Sequence, residues 1–221
     1  MNNIVKKRLR QAKIVSTLII AMPFTRCVIL NGSLAQGKSK INSDIDILVI
    51  CKFGKLYLAR IFTIFVVWLT GLKRSSDEEK DHSGKICLNY YLTDNFLIIP
   101  HDRDEDTNKY CAQNYSQAIF LAGDGKIFNS FMEINIAWMK NYLENLEPRI
   151  LDLKQKNKRR GMNRLKQLLE KVLSGKSGQW LEIKSKQLQI KRINRDSRIP
   201  DYPNFIVAND YEIRLHPPRK K

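Results

Sequence analysis

With 221 residues the chain is long enough for one core of ordinary size and needs no small-protein staple. Its four cysteines, Cys27, Cys51, Cys87 and Cys111, have no C-x-x-C spacing and no grouping with histidine. This argues against a disulfide framework or a structural zinc site and fits reduced thiols in a cytoplasmic protein. Lysine and arginine outnumber aspartate and glutamate by 39 to 22, and the resulting +17 favours polyanionic partners over basic ones.

The opening stretch "MNNIVKKRLRQAKIVSTLIIAMPF" joins a basic region to a short apolar run but lacks a small-residue cleavage site. It predicts an amphipathic helix over about Ile4 to Ala21, ended near Pro23. A buried strand from Arg26 to Leu30 follows, closed by Gly32, and then a polar loop, "AQGKSKINS". "DIDILVIC" is the next strand. Its alternation sends Asp44, Asp46 and Leu48 to one face and Ile45, Ile47 and Val49 to the other, so both acids project from the same side.

"LYLARIFTIFVVWLTGL", Leu56 to Leu72, is apolar but carries Arg60. It sits at the short limit for crossing a bilayer, which takes roughly 17 to 25 residues, and predicts a core or interfacial helix. Lys52, Lys55, Lys73 and Arg74 flank it as anchors would, so attachment to anionic membrane stands as a minor reading. Beyond a charged loop, "KICLNYYLTDNFLII" predicts a strand over about Lys85 to Leu92 and a hairpin through Thr93, Asp94 and Asn95. "CAQNYSQAIFLAGD" and "NSFMEINIAWMKNYLENL" show apolar residues at three and four spacing and read as helices, with Gly123-Asp124-Gly125 between them.

Pro148 marks a change of composition. A basic helix is expected from about Leu151 to Leu173, a break at 175–178, a second helical segment in "QWLEIKSKQLQIKRI", and a short hairpin through Ala208-Asn209-Asp210 before a basic tail. Between Lys154 and Arg195 there are fourteen basic residues and two acids, Glu170 and Glu182. Such a block attracts RNA or an acidic protein through a salt-sensitive field, unless it is simply a solvated helix face. Trp68, Trp138 and Trp180 fall in helical apolar patterns and read as core. Trp180, between Lys176 and Lys184, is the one to test against nucleic acid. His82, His101 and His216 have no metal-ligand spacing. The whole reads as an α+β chain with a core over 1–112, a helical extension over 113–150 and a basic, mainly helical region over 151–221.

The chemistry concentrates around "NGSLAQGKSKINSDIDILVI". Two carboxylates on one strand face repel each other unless a cation lies between them. Magnesium takes oxygen ligands and keeps substrate phosphate oxygens among them. A Gly-Ser turn ahead of it lets backbone approach a phosphate closely and offers amide and hydroxyl donors.

Gly32-Ser33, a ten-residue spacer containing Gly37 and Ser43, and Asp44-Ile45-Asp46 leading an apolar strand resemble the signature of the DNA polymerase β-type nucleotidyltransferase superfamily. The resemblance covers about Ile4 to Leu92. It implies a small mixed sheet with packed helices, and transfer of a nucleoside monophosphate from a nucleoside triphosphate to an acceptor hydroxyl on RNA or protein. It also implies two magnesium ions held by Asp44 and Asp46, and triphosphate contacts from Gly32 and Ser33, with Ser43 matching in the spacer. Lys38 and Lys40 in the same loop are placed either to neutralise phosphate charge or simply to be solvated. Active members add a third carboxylate from a neighbouring strand. "KICLNYYL" contains none. Alternation puts Cys87, Asn89 and Tyr91 on the relevant face and Asn89 at the third position; Asp94, or the cluster Asp102, Asp104, Glu105 and Asp106, are the alternatives. Asn89 can touch a metal but cannot act as a base. The competing expectation is therefore a catalytically impaired module that binds nucleotide or nucleic acid as an adaptor.

Overall fold

A computed structural model describes residues 3–75, 81–144, 164–200 and 205–215. The first helix, α1 (Asn3–Ile20), leads into β1 (Thr25–Leu30), a single-turn α2 (Gly32–Ala35), β2 (Ile45–Cys51), α3 (Leu56–Leu69) and β3 (Ile86–Thr93). Then come α4 (Glu105–Tyr115), β4 (Ile119–Gly123) and α5 (Gly125–Met139), and finally α6 (Arg164–Val172), α7 (Lys176–Ile193), β5 (Ile206–Ala208) and β6 (Glu212–Leu215). The six strands form one mixed sheet in the order β4-β1-β2-β3-β6-β5, in which only β2 and β3 run parallel. The α+β expectation holds.

Alternation along β2 divides the core as the sequence predicts. Ile45, Ile47 and Val49 face a cluster formed with Val15 and Ile19 of α1 and Leu56, Ala59 and Val67 of α3. Leu48 and Ile50 face the other way, onto Ala112 of α4 and Phe128, Phe131 and Met132 of α5. The sheet thus carries α1 and α3 on one face and α4 and α5 on the other. Asp46 shares the face of α4.

Three expectations need correction. The hairpin at Thr93-Asp94-Asn95 does not form. The Phe96 N–H closes a turn onto Thr93 O at 3.0 Å and the two residues form an isolated bridge, but no second strand follows; the antiparallel neighbour of β3 is β6, from the far end of the chain. "IFLAG" is the edge strand β4, paired antiparallel with β1, because a short apolar run gains more by completing the sheet than by extending α4 past Tyr115. Trp68 and Trp180 are exposed, at 61% and 59%, whereas Trp138 is buried as expected. The turn at Ala208-Asn209-Asp210 does form, with Asn209 Oδ1 accepting the N–H groups of Tyr211 and Glu212 at 2.8 Å each. Of the basic helix expected from Leu151, the part over 151–163 lies outside the described residues, as does His216.

The two acids of the basic block dock it onto the core. Glu182 accepts the N–H groups of Tyr57 and Leu58 at 2.8 Å each, capping the first turn of α3, whose own N-cap residue Lys55 supplies no side-chain acceptor. Glu170 accepts the Phe24 N–H at 2.6 Å and pairs with Arg26 at 3.0 Å. Beside it the Lys166 ammonium donates to the carbonyls of Ile20 and Thr25, at 2.8 and 2.6 Å, closing the C-terminal end of α1.

Candidate functional site

The site starts where β1 ends. Asn31 donates its backbone N–H to Asp46 O at 3.1 Å, which keeps the chain beside β2 for one residue more. Gly32 then turns with φ of 69°, a conformation that favours glycine, and opens α2. The Gly32 Cα lies against the Asp46 carboxylate, so that a Cβ added there would collide with Asp46 Oδ2. Glycine is required twice, for backbone angle and for space.

Asp44 and Asp46 stand at the start of β2, Asp44 buried and Asp46 half-buried. The residue paired with Asp46 across the parallel ladder is Cys87, and one ligand atom each from Asp44, Asp46 and Cys87 lies within 4.8 Å of the others. Between Asp46↔Cys87 and Leu48↔Tyr90 the ladder slips, with β3 spending one more residue than β2. This bulge breaks the alternation. Asn89 and Tyr90 both line the cavity in front of Asp46, while Tyr91 turns to the opposite face, where its hydroxyl meets Thr63 Oγ1 at 3.0 Å. Tyr91 therefore does not share the face of Cys87, as strict alternation predicts, and Cys87 rather than Asn89 is level with Asp46. Asn89 supports it instead, donating its amide N–H to Cys87 Sγ.

Arg74, just past the end of α3, supplies a positive charge. Its guanidinium lies 3.3 Å from Asp44 Oδ2 and donates to Cys87 Sγ at 3.3 Å. The Cys87 thiol is pushed well above its usual range, first by burial and then by the negative charge of Asp46 and Asp44. A neutral thiol at this place is a weak ligand and no base at neutral pH.

In front of these groups lies a cavity of about 70 Å³. Gly32, Asp46, Cys87 and Asn89 form one wall, Tyr110, Cys111, Asn114 and Tyr115 of α4 another, and Arg103, Phe205 and Arg214 close the end. Arg103 is held by neighbours: Asn108 donates to the carbonyls of His101 and Arg103 at 2.8 Å each, and the guanidinium stacks 5.1 Å from the Phe205 ring. This is room for about two waters, well short of the several hundred Å³ that a nucleotide-sized ligand takes.

Other expected site residues lie elsewhere. Ser33 sits in the first turn of α2, half-buried and outside the cavity lining. Lys38 and Lys40 are exposed on the spacer loop, which Arg8 of α1 holds by donating to Ser39 Oγ at 2.6 Å and to the carbonyls of Lys40 and Ile41. Ser43 Oγ accepts the Lys40 N–H at 3.0 Å and closes a turn. The Asp94 N–H bonds to Cys51 O and its carboxylate accepts the Phe53 N–H at 2.9 Å. That is five residues along β2 from Asp46, roughly 16 Å at about 3.3 Å per residue. Asp104 caps α4 by accepting the Thr107 N–H at 2.9 Å, and Asp102, Glu105 and Asp106 are exposed around it. Neither Asp94 nor that cluster supplies a third ligand. Arg74, Arg103 and Arg214 have no local signal in the sequence; Cys87 had one, the alternation that places it on the relevant face of β3.

No family model and no curated protein matches the chain. Among solved structures, one described as "Crystal structure of the toxin-antitoxin with AMP-PNP" is similar at 18% identity, covering 59% of this chain and 84% of that one, with a TM-score of 0.32.

Proposed function

We propose that the protein is a nucleotidyltransferase of the DNA polymerase β type, transferring a nucleoside monophosphate from a nucleoside triphosphate to an acceptor hydroxyl on RNA or protein. The observation that carries this reading is the packing of Gly32 against the Asp46 carboxylate, with Asp44 and Cys87 in ligand range of it. A glycine turn with no room for a side chain brings backbone, rather than a methyl group, up to a carboxylate pair, as a metal-bound phosphate needs.

The donor set fits a divalent cation such as magnesium, since Asp44 and Asp46 offer hard oxygens on one strand face, and the cation would share Asp44 with Arg74, 3.3 Å from its Oδ2. When bound, the cation would neutralise phosphate charge as the triphosphate is cleaved. Asp44 and Asp46 would hold it. Gly32 and Ser33, at the start of α2, would meet the phosphates, and Lys38 and Ser43 would stay at the periphery. Arg103 and Arg214, across the cavity, would face the anionic part of the bound molecule.

A second reading rests on Cys87. Among the described residues it is the third ligand-bearing side chain grouped with the two acids, where an active site of this type uses a carboxylate. A buried thiol cannot deprotonate an attacking hydroxyl, and the protein would then bind nucleotide as an adaptor, with the basic region engaging nucleic acid. Incubating the protein with α-labelled nucleoside triphosphates and magnesium separates the two. Label on an acceptor that disappears in Asp44→Ala and Asp46→Ala supports the enzyme; metal-dependent nucleotide binding with no transfer supports the adaptor. Transfer unaffected by both substitutions overturns the site.

A further inference from the structure

The face of the sheet away from Asp46 is covered by α1 and α3, with α7 packed on the outer side of α3. Both helices bury one side there and show solvent a second apolar side. On α3 the exposed residues are Ile61 (43%), Phe65 (54%), Trp68 (61%) and Leu69 (61%). Their spacing of four, three and one makes a single stripe, and Phe65 stacks on Trp68 with ring centroids 6.2 Å apart. Ile14 (55%) and Leu18 (38%) are exposed on α1.

The acids on this side are engaged: Glu170 pairs with Arg26, Glu182 caps α3, and Asp210 pairs with Lys186 at 2.5 Å. α1 and α3 contain no aspartate or glutamate, and α1 exposes Lys6, Lys7, Arg10 and Lys13. An open groove of about 660 Å³ runs along α1, where Lys7, Arg10 and Lys85 meet Ile14, Ile41 and Leu72. It joins the basic side of α1 to the chain just beyond α3. On the opposite side of the sheet, α4 and α5 and their leading turns expose Asp104, Glu105, Asp106, Asp124 and Glu133.

We propose that the α1 and α3 face docks on an anionic lipid bilayer, with Ile61, Phe65, Trp68 and Leu69 entering the acyl boundary and Lys7, Arg10 and Lys85 meeting the phosphate headgroups. An apolar stripe with aromatic members, flanked by lysine and arginine and free of acids, is the chemistry of a helix lying in the membrane interface. A second copy fits worse, because face-to-face pairing sets two lysine-rich surfaces against each other. Nucleic acid fits worse too, since Ile14, Leu18, Ile61 and Leu69 gain little from phosphates and base edges. No described helix is long and apolar enough to cross a membrane, so docking would be on the surface. The cavity beside Asp46 lies on the other side of the sheet, so this pose leaves it uncovered.

The test is flotation of the full chain with phosphatidylcholine vesicles, with and without phosphatidylserine, at low and high salt. Binding only to the phosphatidylserine vesicles, weakened by salt and reduced about tenfold or more in Phe65→Ser/Trp68→Ser, is the expected result. Both side chains are more than half exposed, so the variant keeps its core, and a matching thermal melt checks this. Lys7→Glu/Arg10→Glu should lose binding as well. Flotation undiminished by Phe65→Ser/Trp68→Ser would mean charge adsorption without insertion and overturn the proposal. So would absence of flotation, or a dimer in solution that the same variant dissociates without any vesicle binding.

Discussion

The Asp46 carboxylate rests on the Cα of Gly32, in the space that any other residue would fill with its Cβ. Two independent requirements meet at Gly32, a positive φ and this contact. Gly32→Ala should therefore cost about 1 to 2 kcal/mol of stability from the left-handed backbone alone, and it should also displace the carboxylate from its place beside Cys87. The measurement is a pair: a urea melt, and metal-dependent nucleotide binding. Stability lost with nucleotide binding intact would show that the contact is structural only.

Asp46 and Cys87 pair across β2 and β3, and exchanging their chemistry separates binding from turnover. Asp46→Asn removes one of two like charges at little structural cost, so the variant should be as stable as the parent while losing metal-dependent nucleotide binding. Cys87→Asp supplies the missing third carboxylate, with Arg74 at hand to balance it. If the protein transfers nucleotides, the rate should rise on the order of tenfold. An unchanged or lower rate in a folded Cys87→Asp variant would argue that Cys87 does not occupy the third position.

What the sequence made legible, and what it hid, follows from the range of the interactions. Asp44 and Asp46 could be placed on one face because strand alternation is local, and Leu48 and Ile50 behind them confirm the phase. Alternation put Cys87 on the right face, but which residue stands level with Asp46 depends on the β2–β3 register, which no local pattern reports; the bulge between Cys87 and Tyr90, of which "CLNYY" carries no sign, then sends Tyr91 to the other face. β4 was hidden since "IFLAG" suits helix or strand equally, and only the exposed edge of β1 decides. The pairing of β6 with β3 joins segments more than a hundred residues apart, and no local pattern reports it.

The same limit applies to Glu182, which in sequence is one acid among lysines. It caps α3 with both carboxylate oxygens, accepting the N–H groups of Tyr57 and Leu58, for which the N-cap residue Lys55 supplies no side-chain acceptor. Burial raises its pKa above the ordinary carboxylate value, against the backbone hydrogen bonds that lower it. Glu182→Ala leaves both donors without this acceptor and should cost about 2 kcal/mol or more in a urea melt. Glu182→Gln retains one carbonyl acceptor and should fall between the two. Equal stability of all three would show that water caps the helix just as well.

Lys166 gives a prediction that depends on pH. Its side chain is buried against the end of α1, and desolvation lowers its pKa from the ordinary 10.5 to about 8, a shift that nearby Glu170 partly offsets. Between these two values the unfolded chain binds more protons at this position than the folded one, so this group makes stability rise with pH across that window. Below about 8 both states carry the charge, and the full desolvation cost is present. Lys166→Met keeps most of the packed volume, does not titrate, and withdraws the donor from the Ile20 and Thr25 carbonyls, at a cost of about 1 to 2 kcal/mol. Other titrating groups cancel in the difference between parent and variant. The parent's lead over Lys166→Met should therefore widen as the pH of a urea melt is raised from about 7 to about 10. A lead that stays constant or narrows over that range would show that the Lys166 ammonium is not desolvated by its place beneath α6.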